Sequence, residues 1–313
     1  MNQILSNDNK QMDHLLKMVK QLAVDFTLNI NDRPTSLEIE IDITSKLAKE
    51  GLGTEAALNH FIEKFHDIIV ASTGPRYWGF VTGGATPASI AGDWLASVYD
   101  QNTQTLTGEG DISAIIEKET IHLLLDLFDL PDTFIGGFVS GATMSNFTCL
   151  AVARQWLGKQ LGHDIARQGI CADLKILSAT PHSSAIKSLA MLGIGSNNFI
   201  QVKTMEGNRE ALDIDDLKSK IEQLHGKPFM LISSAGTVNT VDFDNFEEIA
   251  QLRQRHNFWW HVDAAFGGFA ACSPQYKHLL KDWEYADSIT IDCHKWLNVP
   301  YESAFYLVKE KHK

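Results

Sequence analysis

Apolar residues recur along this chain with two periods, and the change from one to the other divides it. Near the N-terminus the period is helical. Met12, Leu15, Leu16, Val19, Leu22, Ala23 and Phe26 share one face, and Leu58, Phe61, Ile62, Phe65, Ile68 and Ile69 share another. Thr54 is the expected N-cap of the second helix. Residues 30 to 50, with Pro34 inside and Gly51 and Gly53 close by, predict an extended link and a short helix. Two amphipathic helices and a link make a poor independent domain. Their apolar faces fit equally well against the rest of the chain or against a second subunit.

A glycine-rich stretch follows, from Arg76-Tyr77-Trp78-Gly79-Phe80 to Thr82-Gly83-Gly84-Ala85-Thr86-Pro87. Pro87 suits the first turn of a helix carrying Ile90, Trp94, Leu95 and Val98. Another helix carries Ile112, Ile115, Ile116, Leu123, Leu124 and Leu127. From about residue 135 the pattern changes to short apolar runs separated by helical stretches. The predicted strands are Phe134–Val139, Leu174–Ser178, Phe199–Val202, Phe229–Ser233, Phe258–Val262, Ser288–Ile291 and Ala304–Val308. The helices between them include Asn146–Leu157, Ser184–Leu192, Ile214–Leu224 and Phe246–Arg255. This alternation predicts an α/β domain around a mostly parallel seven-stranded sheet with flanking helices. The expected organisation is a helical N-terminal segment, residues 1–74, and a large domain, residues 75–313.

Composition narrows the function classes. The formal net charge of -12 disfavours nucleic acid, whose phosphates need a basic footprint. No apolar run reaches membrane-span length, and the N-terminus lacks the basic-then-apolar layout of a secretory signal. Cys149, Cys171, Cys272 and Cys293 form no CxxC pair, and the histidines form no HExxH, so no metal site is expected. Reduced thiols and a cytoplasmic location are the simplest reading.

In open α/β sheets, ligands bind beyond the carboxyl ends of the strands. The residues following each predicted strand are Ser140-Gly141-Ala142-Thr143, Pro181-His182-Ser183-Ser184, Ala235-Gly236-Thr237, Asp263-Ala264-Ala265-Phe266-Gly267-Gly268 and Asp292-Cys293-His294-Lys295-Trp296. One edge thus offers an anion-binding turn before a helix, a histidine, a hydroxyl, a carboxylate and a His-Lys pair. Pyridoxal 5'-phosphate needs that set: an amine for its aldehyde, a carboxylate for its ring nitrogen, a flat group for its ring and amides for its phosphate. Each residue alone has a plainer reading. A single lysine is usually a solvated charge, Asp263 suits a turn, His182 suits a satisfied core position, and Thr237 and the Ser140–Thr143 turn are weak signals singly. Trp259, Trp260 and Trp296 read as core, and Cys293 as packing.

The stretches YWGFVTGGATPASIAGDWLASVYDQN, SGATMSNF, SATPHSSAIKSLAMLG, HVDAAFGG and SITIDCHKWLNVPYES occur in an order that resembles the group II pyridoxal-phosphate-dependent decarboxylases, from about residue 75 to 308. The resemblance implies an aspartate-aminotransferase-like (fold type I) domain, a homodimer and a small-molecule amino-acid substrate. Lys295 would be the Schiff-base lysine, His182 the ring-stacking histidine and Asp263 the partner of the pyridinium nitrogen, with Ala265 beneath the ring. His294 and the Ala142-Thr143 turn would sit near the phosphate and Thr237 near the phenolic oxygen. Phe80 and Thr82 would line the substrate pocket. The family's chains continue past the strand at Ala304–Val308 into a mobile loop and a small C-terminal domain, whereas this chain ends at Lys313. The expectation is therefore the large domain without that small one. Decarboxylation is the leading reading. Beside it stand another pyridoxal-phosphate reaction, such as transamination or aldol cleavage, and a non-catalytic remnant that binds the cofactor or dimerises.

Overall fold

The computed structural model describes residues 3–41, 46–47, 49–101, 112–170 and 172–312. The chain forms two compact units, Met1–Gly84 and Ala85–Lys313.

The first unit contains α1 (Gln3–Lys10), α2 (Met12–Leu28) and α3 (Thr54–Phe65), the last continued by a 3-10 turn over His66–Ile68. The α2 and α3 stripes form helices as expected, but Thr54 is not the cap. Gly53 holds the cap position, and the Asp8 carboxylate accepts from Thr54 N at 3.0 Å and Thr54 Oγ1 at 2.7 Å. A carboxylate from another helix thus does what the local hydroxyl was expected to do, and it satisfies an amide with no intrahelical acceptor. The expected short helix within 30–50 is absent from the described part of that stretch; positions 42–45 and 48 lie outside the described residues. Arg33 holds the link. Its guanidinium donates to His66 O at 2.9 Å and Ile69 O at 3.3 Å and lies 4.8 Å over the Phe26 ring. Leu5, Leu16, Leu28 and Phe61 stay exposed.

The second unit is built on one seven-stranded sheet. Its strands are β1 (Phe134–Val139), β2 (Ile176–Ser178), β3 (Phe199–Gln201), β4 (Phe229–Ser234), β5 (Phe258–Asp263), β6 (Ser288–Asp292) and β7 (Ala304–Lys309), in the order β1-β7-β6-β5-β4-β2-β3. β7 is antiparallel to both neighbours, and the other pairs are parallel. All seven predicted strands form, with ends shifted by a residue or two. The helices are α4 (Pro87–Tyr99), α5 (Ser113–Leu127), α6 (Ala142–Gln160), α7 (Ile165–Gln168), α8 (Ser183–Met191), α9 (Ile214–Gln223), α10 (Phe246–Arg253) and α11 (Cys293–Trp296). Pro87 opens α4 as expected, and the Thr86 hydroxyl caps it by accepting from Ser89 N.

β4 and β6 are buried along their whole lengths, and β5 along all but its last residue, as expected of strands covered on both faces. Side chains alternate across a strand, so the adjacent Trp259 and Trp260 enter different cores. Trp259 packs with Met230, Ile232, Leu150 and Leu189 on the α6–α8 side. Trp260 packs with Leu231, Phe229 and Phe246 on the α9–α10 side. Each indole N–H reaches a serine on a neighbouring strand, Ser288 at 2.9 Å and Ser233 at 2.8 Å. At the β1–β7 pair the strands approach closely; a Cβ on Gly136 would lie 2.8 Å from Leu307 Cδ2.

Asp287, just before β6, is buried and accepts from both Arg253 terminal nitrogens, from Trp260 N at 3.0 Å and from His312 Nε2 at 2.8 Å. Burial pushes its carboxyl upward, but the His312 and Arg253 hydrogen bonds outweigh it and bring the value down to about 2. Removing one member of a buried pair leaves the other charge uncompensated. Arg253→Ala is expected to lower stability by about 3 kcal/mol in urea denaturation. A loss within experimental error would show that His312 and Lys311 alone hold Asp287.

Candidate active site

β1, β2, β4, β5 and β6 run the same way, so their carboxyl ends share one edge of the sheet. The site residues expected in the second unit follow those ends. Asp263 closes β5 opposite Thr290 of β6, and β6 leads into α11, which carries His294 and Lys295. Backbone bonds tie the two exits together. Ala264 N donates to Thr290 O at 2.9 Å, and Asp292 N donates to Ala265 O at 3.2 Å.

Lys295 Nζ lies 3.0 Å from Asp292 Oδ2, and its side chain is only 18% exposed. Asp292 is buried, and its Oδ1 has no hydrogen-bond partner, so the lysine ammonium is the main group facing this carboxylate. His294 Nε2 stands farther off, at 3.7 Å. The other ring nitrogen of His294 is 2.8 Å from Ser303 O and 3.1 Å from Ser303 N. The Tyr301 ring meets the His294 ring edge to face at 4.3 Å. The Gly141 turn passes the same imidazole, since a Cβ there would lie 3.8 Å from His294 Cε1. The β1 and β6 exits therefore meet around His294.

Asp263 accepts one hydrogen bond on each oxygen, from Asn146 Nδ2 at 3.1 Å and from Ala265 N at 3.2 Å. Further lone pairs remain for a donor from outside the protein. Ala142 and Thr143 open α6, where first-turn amides have no intrahelical acceptor. His182 caps α8: its Nδ1 accepts from Ser184 N at 3.3 Å and contacts Ser184 Oγ at 2.8 Å, and its ring is exposed. Thr237 is buried, and its hydroxyl accepts from Asp242 N at 3.0 Å and meets Thr240 Oγ1 at 3.1 Å. Phe80 and Thr82 belong to the first unit. Phe80 is exposed with φ 55°, and Thr82 Oγ1 is 3.5 Å from Gly79 O.

A phosphorylated aldehyde with a basic ring nitrogen requires an amine within reach, an acceptor for the ring N–H, free amides for the phosphate and an accessible flat ring. Lys295, Asp263, the start of α6 and His182 supply these, so the residues fit such a group.

One aromatic side chain differs from its sequence reading. Trp296 was expected in the core, but it is 57% exposed, because α11 carries it off the sheet edge. Trp259, Trp260 and Cys293 are buried as expected. Burial pushes the Cys293 thiol up to about 12. Ser145 points into the fold, donating to Phe305 O at 3.0 Å or Thr290 Oγ1 at 2.9 Å. Sequence reasoning passed over Asp292, Asn146 and His261. All three stand inside the quoted motifs, but nothing in their spacing marks which side chains they meet.

His261 is fully buried. Burial lowers its imidazole to about 4, against the upward pull of Asp263. In the unfolded chain it titrates near its ordinary value of about 6.5. The unfolded state therefore binds a proton that the folded state refuses, and stability falls as pH drops from about 6.5 toward 4. Buried Asp244 has the opposite sign. Burial raises its carboxyl to about 6, so its contribution is present at low pH and is lost as pH rises through 6. Comparison with His261→Gln isolates the histidine. Between pH 7 and pH 5 the parent chain is expected to lose about 2 kcal/mol more than the variant in urea denaturation. Equal losses would mean that His261 titrates normally.

A family model described as the pyridoxal-dependent decarboxylase conserved domain matches residues 45–313. The aspartate 1-decarboxylase of Aliivibrio fischeri is 40% identical over 300 residues, covering 87% of this chain and 54% of that protein. The aromatic-L-amino-acid decarboxylase of Bacillus atrophaeus is 29% identical over 316 residues, covering 99% of this chain and 64% of that protein. The chain thus spans between half and two thirds of the length of these relatives. Among solved structures, mouse CSAD in its apo form matches with a TM-score of 0.82 at 25% identity, covering 96% of this chain and 65% of that one. Oryza sativa TDC, solved with PLP and tryptamine, matches with a TM-score of 0.85 at 19% identity, covering 97% and 67%, a likeness of fold. The fold type I expectation agrees with these neighbours. With most of its length inside the family match and its sheet edge arranged to suit the family's cofactor, pyridoxal phosphate, the chain belongs to the pyridoxal-dependent decarboxylase family.

Proposed function

We propose that this chain carries the cofactor site of an amino-acid decarboxylase, with Lys295 as the lysine that holds pyridoxal phosphate. The observation behind this reading is the partly shielded Lys295 amine, 3.0 Å from buried Asp292, at the carboxyl end of the strand beside Asp263. When bound, the cofactor supplies an aldehyde for amines and a ring that draws electrons from the bonds at the substrate's Cα. Asp292 holds the lysine side chain at the sheet edge. Asp263 would accept from the ring N–H and so keep the ring positively charged. His182 would stack on the ring, with Ala265 beneath it. The amides at Ala142 and Thr143 would hold the phosphate with His294 close by, and Thr237 would face the phenolic oxygen. The substrate is an L-amino acid whose α-carboxylate leaves as carbon dioxide. The relatives' names cover aromatic and acidic side chains, so none is chosen here.

The working form in this reading is a cytoplasmic homodimer. Val98, Tyr99 and Leu95 of α4 and Ile115, Ile116 and Leu123 of α5 are exposed, more apolar surface than a monomer usually leaves open. No helix among the described residues is long and apolar enough to cross a membrane.

Visible absorption with added pyridoxal phosphate tests the site. The parent chain should show the band of the lysine-bound cofactor and Lys295→Ala should not, and carbon dioxide release from a panel of amino acids should fall to background in the variant. Full turnover by Lys295→Ala would remove the lysine from the mechanism. Sedimentation of Val98→Asp/Leu123→Asp tests the assembly: a shift from dimer to monomer is expected, and an unchanged dimer would place the interface elsewhere.

A further inference from the structure

Beneath the edge lies a set of polar side chains that the cofactor reading does not use. Trp259, Ser288, His261, Asn146 and Ser184 are each at most 2% exposed. They form one connected path. Trp259 Nε1 is 2.9 Å from Ser288 Oγ, which is 2.8 Å from His261 Nδ1. His261 Nε2 is 2.8 Å from Asn146 Oδ1. Asn146 Nδ2 lies 3.1 Å from both Asp263 Oδ2 and Ser184 Oγ, and Ser184 Oγ is 2.8 Å from His182 Nδ1.

The direction of this path follows from its ends. An indole N–H only donates and a carboxylate only accepts. Ser288 accepts from Trp259; because Asp263 only accepts, Asn146 faces it with Nδ2 and faces His261 with Oδ1, so His261 donates from Nε2, accepts at Nδ1, and takes the Ser288 proton there. A neutral imidazole has one donor, which here is Nε2–H, and Asn146 Oδ1 accepts from it. In this amide orientation both Nδ2 hydrogens point away from His261, one to Asp263 and one to Ser184. His182 Nδ1 accepts from Ser184 N, so it is unprotonated, and Ser184 Oγ, accepting from Asn146, donates to it as well. The flipped amide would set Asn146 Oδ1 against the Asp263 carboxylate, acceptor against acceptor, with the amide itself fully buried. Every donor on the path has an acceptor, the condition under which a buried polar network specifies one arrangement.

We propose that Asn146 is a positioning residue: the one-way path from Trp259 through its amide orients the Asp263 carboxylate and, through Ser184, pins the His182 ring with its proton on Nε2. The proposal rests on the reading of Asp263 and His182 as ring-contacting residues. It adds that the two are set by one amide rather than independently. Asp263 and His182 leave different strands and have no bond to each other. Asn146, on α6, is the residue that touches both groups, directly and through Ser184.

The tautomers can be read without cofactor. Two-bond proton–nitrogen correlation spectra of the full chain labelled with 15N-histidine distinguish Nδ1–H from Nε2–H rings. In the parent chain, His261 and His182 should both carry the proton on Nε2. Ser184→Ala removes the hydroxyl link and leaves only the longer backbone contact, Ser184 N to His182 Nδ1 at 3.3 Å, so the His182 signals should shift toward a tautomer mixture while those of His261 stay unchanged. Asn146→Asp keeps the shape but loses the donors, and it should perturb both rings. It should also weaken pyridoxal phosphate binding by about tenfold or more, the effect of losing a hydrogen bond to a charged group. An Nδ1–H tautomer at His182 in the parent, or a His182 signal that ignores Ser184→Ala, would overturn the proposal. Failure of the cofactor reading looks different: the parent would show the expected tautomers but no visible band with pyridoxal phosphate.

Discussion

Burial of the central strands on both faces is the constraint from which this site follows. With helices against either side of β4, β5 and β6, polar atoms inside those strands have no water to fall back on and find partners within the fold, and the exceptions stand at the strand ends, at Asp263 and Asp292. Polar residues inside the sheet are therefore placed to satisfy one another, as the two tryptophan–serine pairs show. Where the strands end, backbone and side chains are released together, and Asp263 and Lys295 are presented at the boundary between a fixed interior and an open edge. The rigidity of the interior passes to them through short bonds, such as the amide of Ala265 on Asp263.

The same constraint explains what the sequence made readable. Strands covered on both sides appear as unbroken apolar runs, and all seven were located within a residue or two. Ligands at the carboxyl ends of parallel strands obey a topological rule, which directs attention to the residues after each run. Asn146, His261 and Ser288 escaped notice for a physical reason. They meet across 115 and 27 positions of sequence, and hydrogen bonds between such distant side chains leave no periodic trace. Asp292 was hidden differently: its partner is three residues away, but only the turn of α11 brings the two together. Local rules misled at Thr54 and Trp296. A carboxylate from α1 replaced the first as cap, and the departure of α11 from the sheet exposed the second.

Cys293 sits two positions before Lys295, yet it faces the core with its thiol raised by burial to about 12. On the proposed reading, in which Lys295 binds an aldehyde, a thiolate beside that amine would be a competing nucleophile, capturing the same carbonyl carbon as a thiohemiacetal. Turning the sulfur inward leaves the amine without a rival at the edge of the sheet. The same orientation shields Cys293 from thiol-directed alkylating agents and oxidants, which among the described cysteines would reach exposed Cys272 first. On that reading, chemical selectivity at this edge depends partly on which way the Cys293 sulfur points.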